Sequence, residues 1–115
     1  MSGRKNVIVP IDLIVDGDMS ADIFGQPIKV QYHDNIGFRA EWTGTAPVGE
    51  MGVQASFDGG VTWDDMDFNP TPAVTGNTGS MLMSITNCPY PLLRPVFHFT
   101  SGTGTLQVKG TSKEI

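Results

Sequence analysis

The chain has 115 residues, seven of them Lys or Arg and twelve Asp or Glu, for a formal net charge of −5. That length suits one domain with its own core, and the charge balance speaks against nucleic acid, whose phosphates require clustered cations. Fourteen glycines and eight prolines favour turns over long helices, the lone cysteine excludes an internal disulfide framework, and no apolar run approaches the roughly 18–20 residues that span a bilayer, so no membrane contact is expected.

Residues 1–6 read as a polar arm. The apolar stretch behind them is interrupted by Pro10, Asp12 and Asp16, which is not a signal-peptide pattern, so synthesis and folding in a reducing cytosol are expected. Residues 7–15 are strand-like, with Val7, Ile8, Val9, Ile11 and Leu13 as the candidates for contact with a partner. Pro10 lacks the N–H a ladder needs, so it implies an edge, a bulge or a break. An edge strand behind an extended arm is well placed to add to a neighbour's sheet.

Asp16, Asp18 and Asp22 form the first polar cluster. Their alternation resembles the start of a calcium loop, but Ala21 stands where that loop needs Gly and Pro27 where it needs Glu. A turn capped by Asp18 or Ser20 is expected instead, and no cofactor or metal is assigned. Residues 27–30 give a second short strand, and His33 falls in the polar connection after it, with no second ligand nearby.

Residues 36–63 carry the strongest pattern. Ile36, Phe38, Ala40 and Trp42 alternate with polar residues; a Gly- and Pro-containing break follows at 44–49; then Met51, Val53, Ala55 and Phe57 alternate again. A turn at Asp58, Gly59 and Gly60 leads to Val61 and Trp63 in the same phase. The period of two predicts three antiparallel strands with one apolar face, which must be covered by a second sheet.

Asp64, Asp65 and Asp67 read as a solvated rim. Residues 69–80 read as a surface loop, within which Pro72, Val74 and Asn77 are candidate partner contacts. Met81, Met83 and Ile85 share one strand face, suited to an irregular core. Cys88 has no neighbouring His or Cys and reads as an inert thiol. Val96, His98 and Thr100 alternate with Phe97 and Phe99, residues 101–104 read as a tight turn, and residues 105–109 return as the last strand. No catalytic constellation is identifiable, so no enzyme is expected. The predicted architecture is all-β: a single antiparallel β-sandwich over residues 7–110, jelly-roll-like, of about seven or eight strands, with residues 111–115 as a tail.

The segments Asp34-Asn35-Ile36, Trp42-Thr43-Gly44-Thr45, Pro47-Val48-Gly49 and Val53-Gln54-Ala55-Ser56, with Asp58-Gly59, Trp63 and the C-terminal Thr100-Ser101-Gly102-Thr103-Gly104-Thr105-Leu106, resemble small β-sandwich proteins encoded in tailed-bacteriophage structural regions. Together they span roughly two-thirds of the chain in the order expected of one sandwich domain. The resemblance implies a non-enzymatic virion component of the capsid cement or decoration type. Its location would be the capsid exterior, its partner the major capsid protein, and its effect the bridging of neighbouring subunits. Self-association is also expected, with a dimer favoured and a trimer possible. The competing expectation is a tail, fibre or host-recognition module that binds carbohydrate through exposed aromatics such as Trp42 and Trp63, although their apolar phase places both in the core.

Overall fold

Two strands of 22 residues run the length of the molecule and pair with each other along their whole course. The computed structural model describes residues 10–30, 35–66, 72–86 and 88–113. In chain order the strands are β1 (Ile11–Asp18), β2 (Ile23–Phe24), β3 (Ile28–Lys29), β4 (Asn35–Ser56), β5 (Asp64–Asp65), β6 (Ala73–Val74), β7 (Thr78–Ile85) and β8 (Leu92–Lys113). Among the described residues all pairings are antiparallel and all eight strands belong to one sheet, in the order β1-β8-β4-β5; β2 and β3 also pair with β8, and β6 and β7 with β4. The fold is therefore all-β and antiparallel, as the periodicity predicts. Where two sheets were expected, there is one continuous sheet.

A straight strand of 22 residues would reach about 70 Å. The longest dimension of the molecule is 50 Å, so the β4–β8 ribbon must bend. The register places the bend: Thr45 pairs with Thr103 and Gly49 with Phe99, with shifts between Thr45, Val48 and Gly49. Ala46 and Gly102 both take left-handed backbone here, with φ of 49° and 86°. A methyl group built on Gly102 would collide with the Ala46 carbonyl oxygen, so the tight approach of the two backbones requires glycine.

The bend also changes phase. Before it, β4 turns Ile36, Phe38, Ala40 and Trp42 inward; after it, Met51, Val53 and Ala55. On β8 the inward set switches from Leu93 and Phe97 to Leu106 and Val108. An extra residue in each strand moves the apolar set from even to odd positions on β4 and from odd to even on β8 without leaving the sheet. That is why residues 44–49 and 101–104 read as turns in the sequence. They are strand residues at a bulge, so residues 36–43 and 51–56 are not hairpin partners: both pair with β8.

The two halves of the bent sheet share one core, built from Ile36, Phe38 and Trp42 on one side, Met51, Val53, Leu93 and Phe97 on the other, and closed by Leu13, Met19, Ile28, Val74, Met83 and Cys88. Contact across the core is direct at Gly110, where a Cβ would lie 2.5 Å from Leu13 Cδ1 and 3.6 Å from Ile28 Cδ1. Ile28 pairs with Leu93 in one half and Gly110 with Phe38 in the other. Trp42 is buried as expected. Val61 and Phe57 are exposed, and Trp63 stands outside the core cluster, because β4 ends at Ser56 and the following turn leaves the sheet. β8 continues to Lys113, so residues 111–113 belong to a strand rather than to a tail.

Candidate interaction surfaces

A bent sheet keeps edges, and an edge is a row of backbone donors and acceptors. β2, β3, β5 and β6 are two residues each, too short to template a partner. β1 is longer but irregular: its register against β8 shifts between Asp12 and Ile14 and again between Ile14 and Gly17. Asp16 adopts φ 51° within it, its N–H donating to Gln107 Oε1 at 3.1 Å while Gln107 Nε2 donates back to Asp16 Oδ1. Asp12 is paired with Lys109 Nζ at 3.1 Å. Bulges and charges of this kind blunt an edge.

β7 is different. Its eight residues pair with β4 in unbroken register, from Ile36↔Ile85 to Thr43↔Thr78. It contains no charged residue and no proline. Met83 faces the core, while Leu82 on the opposite face is 77% exposed. Beside Leu82 is a shallow apolar depression of about 240 Å³, floored by Gly37 and bounded by Pro10, Arg39, Lys109 and Thr111. The sequence held the signal for Leu82: if Met81, Met83 and Ile85 share the inner face, the leucine between them must face out.

The residues expected to touch a partner are dispersed. Val7, Ile8 and Val9 lie outside the described residues. Ile11 is half exposed at the start of β1, whereas the Leu13 and Val74 side chains are buried in the core, where apolar phase on an inner face puts them. Pro72 is partly buried, and its carbonyl accepts the Met51 N–H at 2.9 Å. Asn77 is exposed, yet it clamps the bend: its side-chain Oδ1 accepts the Ala46 N–H at 2.8 Å and its carbonyl the Gly44 N–H at 2.7 Å. The Trp42 indole N–H reaches the Gly76 carbonyl at 3.3 Å. Much of the segment expected as a loop is thus tied to β4, and residues 67–71 lie outside the described set.

The other polar clusters are structural. Asp18 Oδ1 accepts the Ser20 N–H and hydroxyl at 3.0 and 2.6 Å, which lowers its pKa, and Asp22 accepts the Phe99 N–H at 2.7 Å. Among the described residues no three potential metal ligands converge. His33 lies outside those residues. His98 faces outward, 3.9 Å from Asp65 Oδ1. The buried Cys88 thiol lies 3.7 Å from the Tyr90 carbonyl.

On the outer face of the second half, Arg94 is held from three sides. Its Nε and Nη2 donate to Gln54 Oε1 at 2.9 and 2.7 Å, and its guanidinium lies 4.3 Å from the Trp63 ring and 4.9 Å from that of Phe24. Gln54 Nε2 donates in turn to Asp65 Oδ1 at 2.9 Å. Desolvation pulls the Arg94 pKa down from its ordinary value, but a guanidinium stays charged. The chain β5–β4–β8–β2 is thereby laced across by side chains. Trp63 is spent on an arginine, a role its spacing did not reveal.

No family model, curated protein or solved structure matches the chain.

Proposed function

We propose that the protein is a non-catalytic virion component, a capsid cement or decoration protein that binds the outer head shell and bridges neighbouring major capsid subunits. The virion assignment comes from the resemblance of the central and C-terminal segments to phage β-sandwich proteins. The observation that supports a gripping role is the β7 edge, an unbroken, uncharged row of eight residues with Leu82 standing out beside it. Such an edge binds an extended segment by main-chain hydrogen bonds, with a pocket for a side chain supplying choice. A second copy competes for it, since antiparallel edges pair about a two-fold axis. Repetition over a shell turns weak single contacts into collective stability. The carbohydrate reading loses its two tryptophans, one buried in the core and one stacked on Arg94.

Co-sedimentation with purified heads of a tailed phage found to carry this sequence tests the proposal. Wild-type protein pellets to a fixed ratio per capsid subunit, and Leu82→Lys, which places a charge beside the edge, pellets less while keeping its fold. Wild-type protein that stays in the supernatant overturns the capsid reading; Leu82→Lys pelleting as well as wild type overturns the role of the edge.

A further inference from the structure

β4 ends at Ser56, and Phe57 leaves the sheet with 70% of its surface exposed. Its ring meets that of Tyr90 edge to face, centroids 5.6 Å apart and planes at 84°. Between this pair and β5 lies a cleft of about 360 Å³ lined by Ala55, Phe57, Asp64, Asp65, Met66 and Tyr90. Ala55 is buried, and Met66 and Tyr90 pack partly against the core. The cleft thus has an apolar floor, two aromatic walls and a carboxylate rim.

The polar chemistry of the lining is one-sided. Among the described residues its side chains offer two carboxylates and one phenol. An ionised carboxylate only accepts hydrogen bonds. An anion would be repelled. A sugar hydroxyl wants donors as well as acceptors, and the lining is poor in donors. A group that only donates, carries positive charge and can lie against an aromatic face fits all of it. Asp65 is held in place by Gln54 Nε2, while Asp64 is exposed, opposite Ala55 in the register. The net charge of −5 attracts a cation from further away. On the neighbouring face the chain already solves the same problem for itself, holding the Arg94 guanidinium with two rings and an amide oxygen.

We propose that this cleft receives a lysine or arginine side chain from the surface of a partner protein, its cationic head over Phe57 and Tyr90 and paired with Asp64. This deepens the binding role by naming the partner's chemistry. It is a different surface from the β7 edge, and it can be tested with no capsid present, so failure here and failure of the capsid reading are distinguishable.

The experiment is a titration of the full chain with Nα-acetyl-lysine methylamide and Nα-acetyl-arginine methylamide, followed by NMR shifts of Phe57, Met66 and Tyr90. Nα-acetyl-norleucine methylamide controls for apolar contact and methyl glucoside for sugar. One exposed ion pair and one or two ring contacts give a Kd on the order of 10 mM. The cationic compounds shift those three residues and weaken with added salt. Asp64→Asn and Phe57→Leu, both at exposed positions, each weaken them by about two- to fivefold and leave the spectrum dispersed. Norleucine methylamide binding equally well, the glucoside binding in place of the cations, or no shift with either cation at 50 mM, roughly five times the expected Kd, each overturns the proposal.

Discussion

Replacing Gly102 by alanine tests whether the bend organises the fold. Two costs are expected. The first is conformational: Gly102 has φ 86°, and forcing an L-residue into left-handed backbone costs about 1–2 kcal/mol. The second is steric. The new methyl collides with the Ala46 carbonyl oxygen and lies 2.6 Å from its carbon and 2.8 Å from Pro47 Cα. These are backbone atoms pinned by the Asn77 clamp, so the two strands must separate, at about 1–3 kcal/mol for an overpacked site. The sum, about 2–5 kcal/mol, is a large part of the roughly 5–15 kcal/mol that stabilises a domain. Gly59→Ala is the control. Gly59 also has positive φ, 76°, but a Cβ there meets nothing within 4 Å. It carries only the conformational cost; the offset of about 0.4–1 kcal/mol from a stiffer unfolded chain applies equally to both variants. Urea unfolding followed by tryptophan fluorescence measures both. If Gly102→Ala is no more damaging than Gly59→Ala, close approach at the bend is not what holds the two halves together.

Two further outcomes follow from the side-chain networks. Gln54→Leu strips the acceptor from the Arg94 guanidinium and the donor from Asp65, and should destabilise by about 2–3 kcal/mol; adding Arg94→Leu should recover part of that loss, and strict additivity in urea melts would show that the lattice is not coupled. Asp58 organises the turn after β4, accepting from the Thr62 N–H at 2.9 Å, the Ser56 hydroxyl at 2.9 Å and the Thr62 hydroxyl, which lowers its pKa from 3.8 to about 2. A depressed carboxylate stabilises fully above its unfolded pKa and loses that contribution as pH falls through the folded value. The turn should therefore loosen between about pH 4 and pH 2, with amide exchange at Thr62 as the readout, and Asp58→Asn should remove that dependence.

The alternation in residues 36–57 and 92–109 was enough to give the fold class and most of the core, because a period of two survives any strand order. The sheet order did not follow from it. A phase break accompanied by Gly and Pro marks a turn between two strands and a bulge inside one equally well, and only the partner strand distinguishes them. Here β8 breaks phase opposite β4, so one ribbon bends where two hairpins were expected. The candidate contacts fared according to what local pattern can see. Leu13 and Val74 are buried because neighbouring strands cover them, and Asn77 is engaged because Ala46, 31 residues away, needs an acceptor. Leu82 is legible from the phase of Met81 and Met83 on either side of it, whereas Phe57 is in phase with the core and is exposed because its strand ends at Ser56.

On the proposed role, the arithmetic of the β7 edge makes one leucine decisive for binding. Alternate residues of an eight-residue edge strand direct N–H and C=O outward, so a docked segment gains up to about eight hydrogen bonds. At a net 0.5–1.5 kcal/mol each they contribute about 4–12 kcal/mol. Losing independent motion on association costs about 4–15 kcal/mol. The backbone terms therefore nearly cancel, and the edge alone discriminates little between partners. Burying Leu82 adds about 1.5–3 kcal/mol, one to two powers of ten in Kd. A contact balanced this closely is weak in a single copy and strong in an array. Leu82→Lys removes that increment and adds a desolvation cost, so occupancy of a shell should fall far more steeply than the fold's own stability, and the two losses are separable by measuring both on the same preparation.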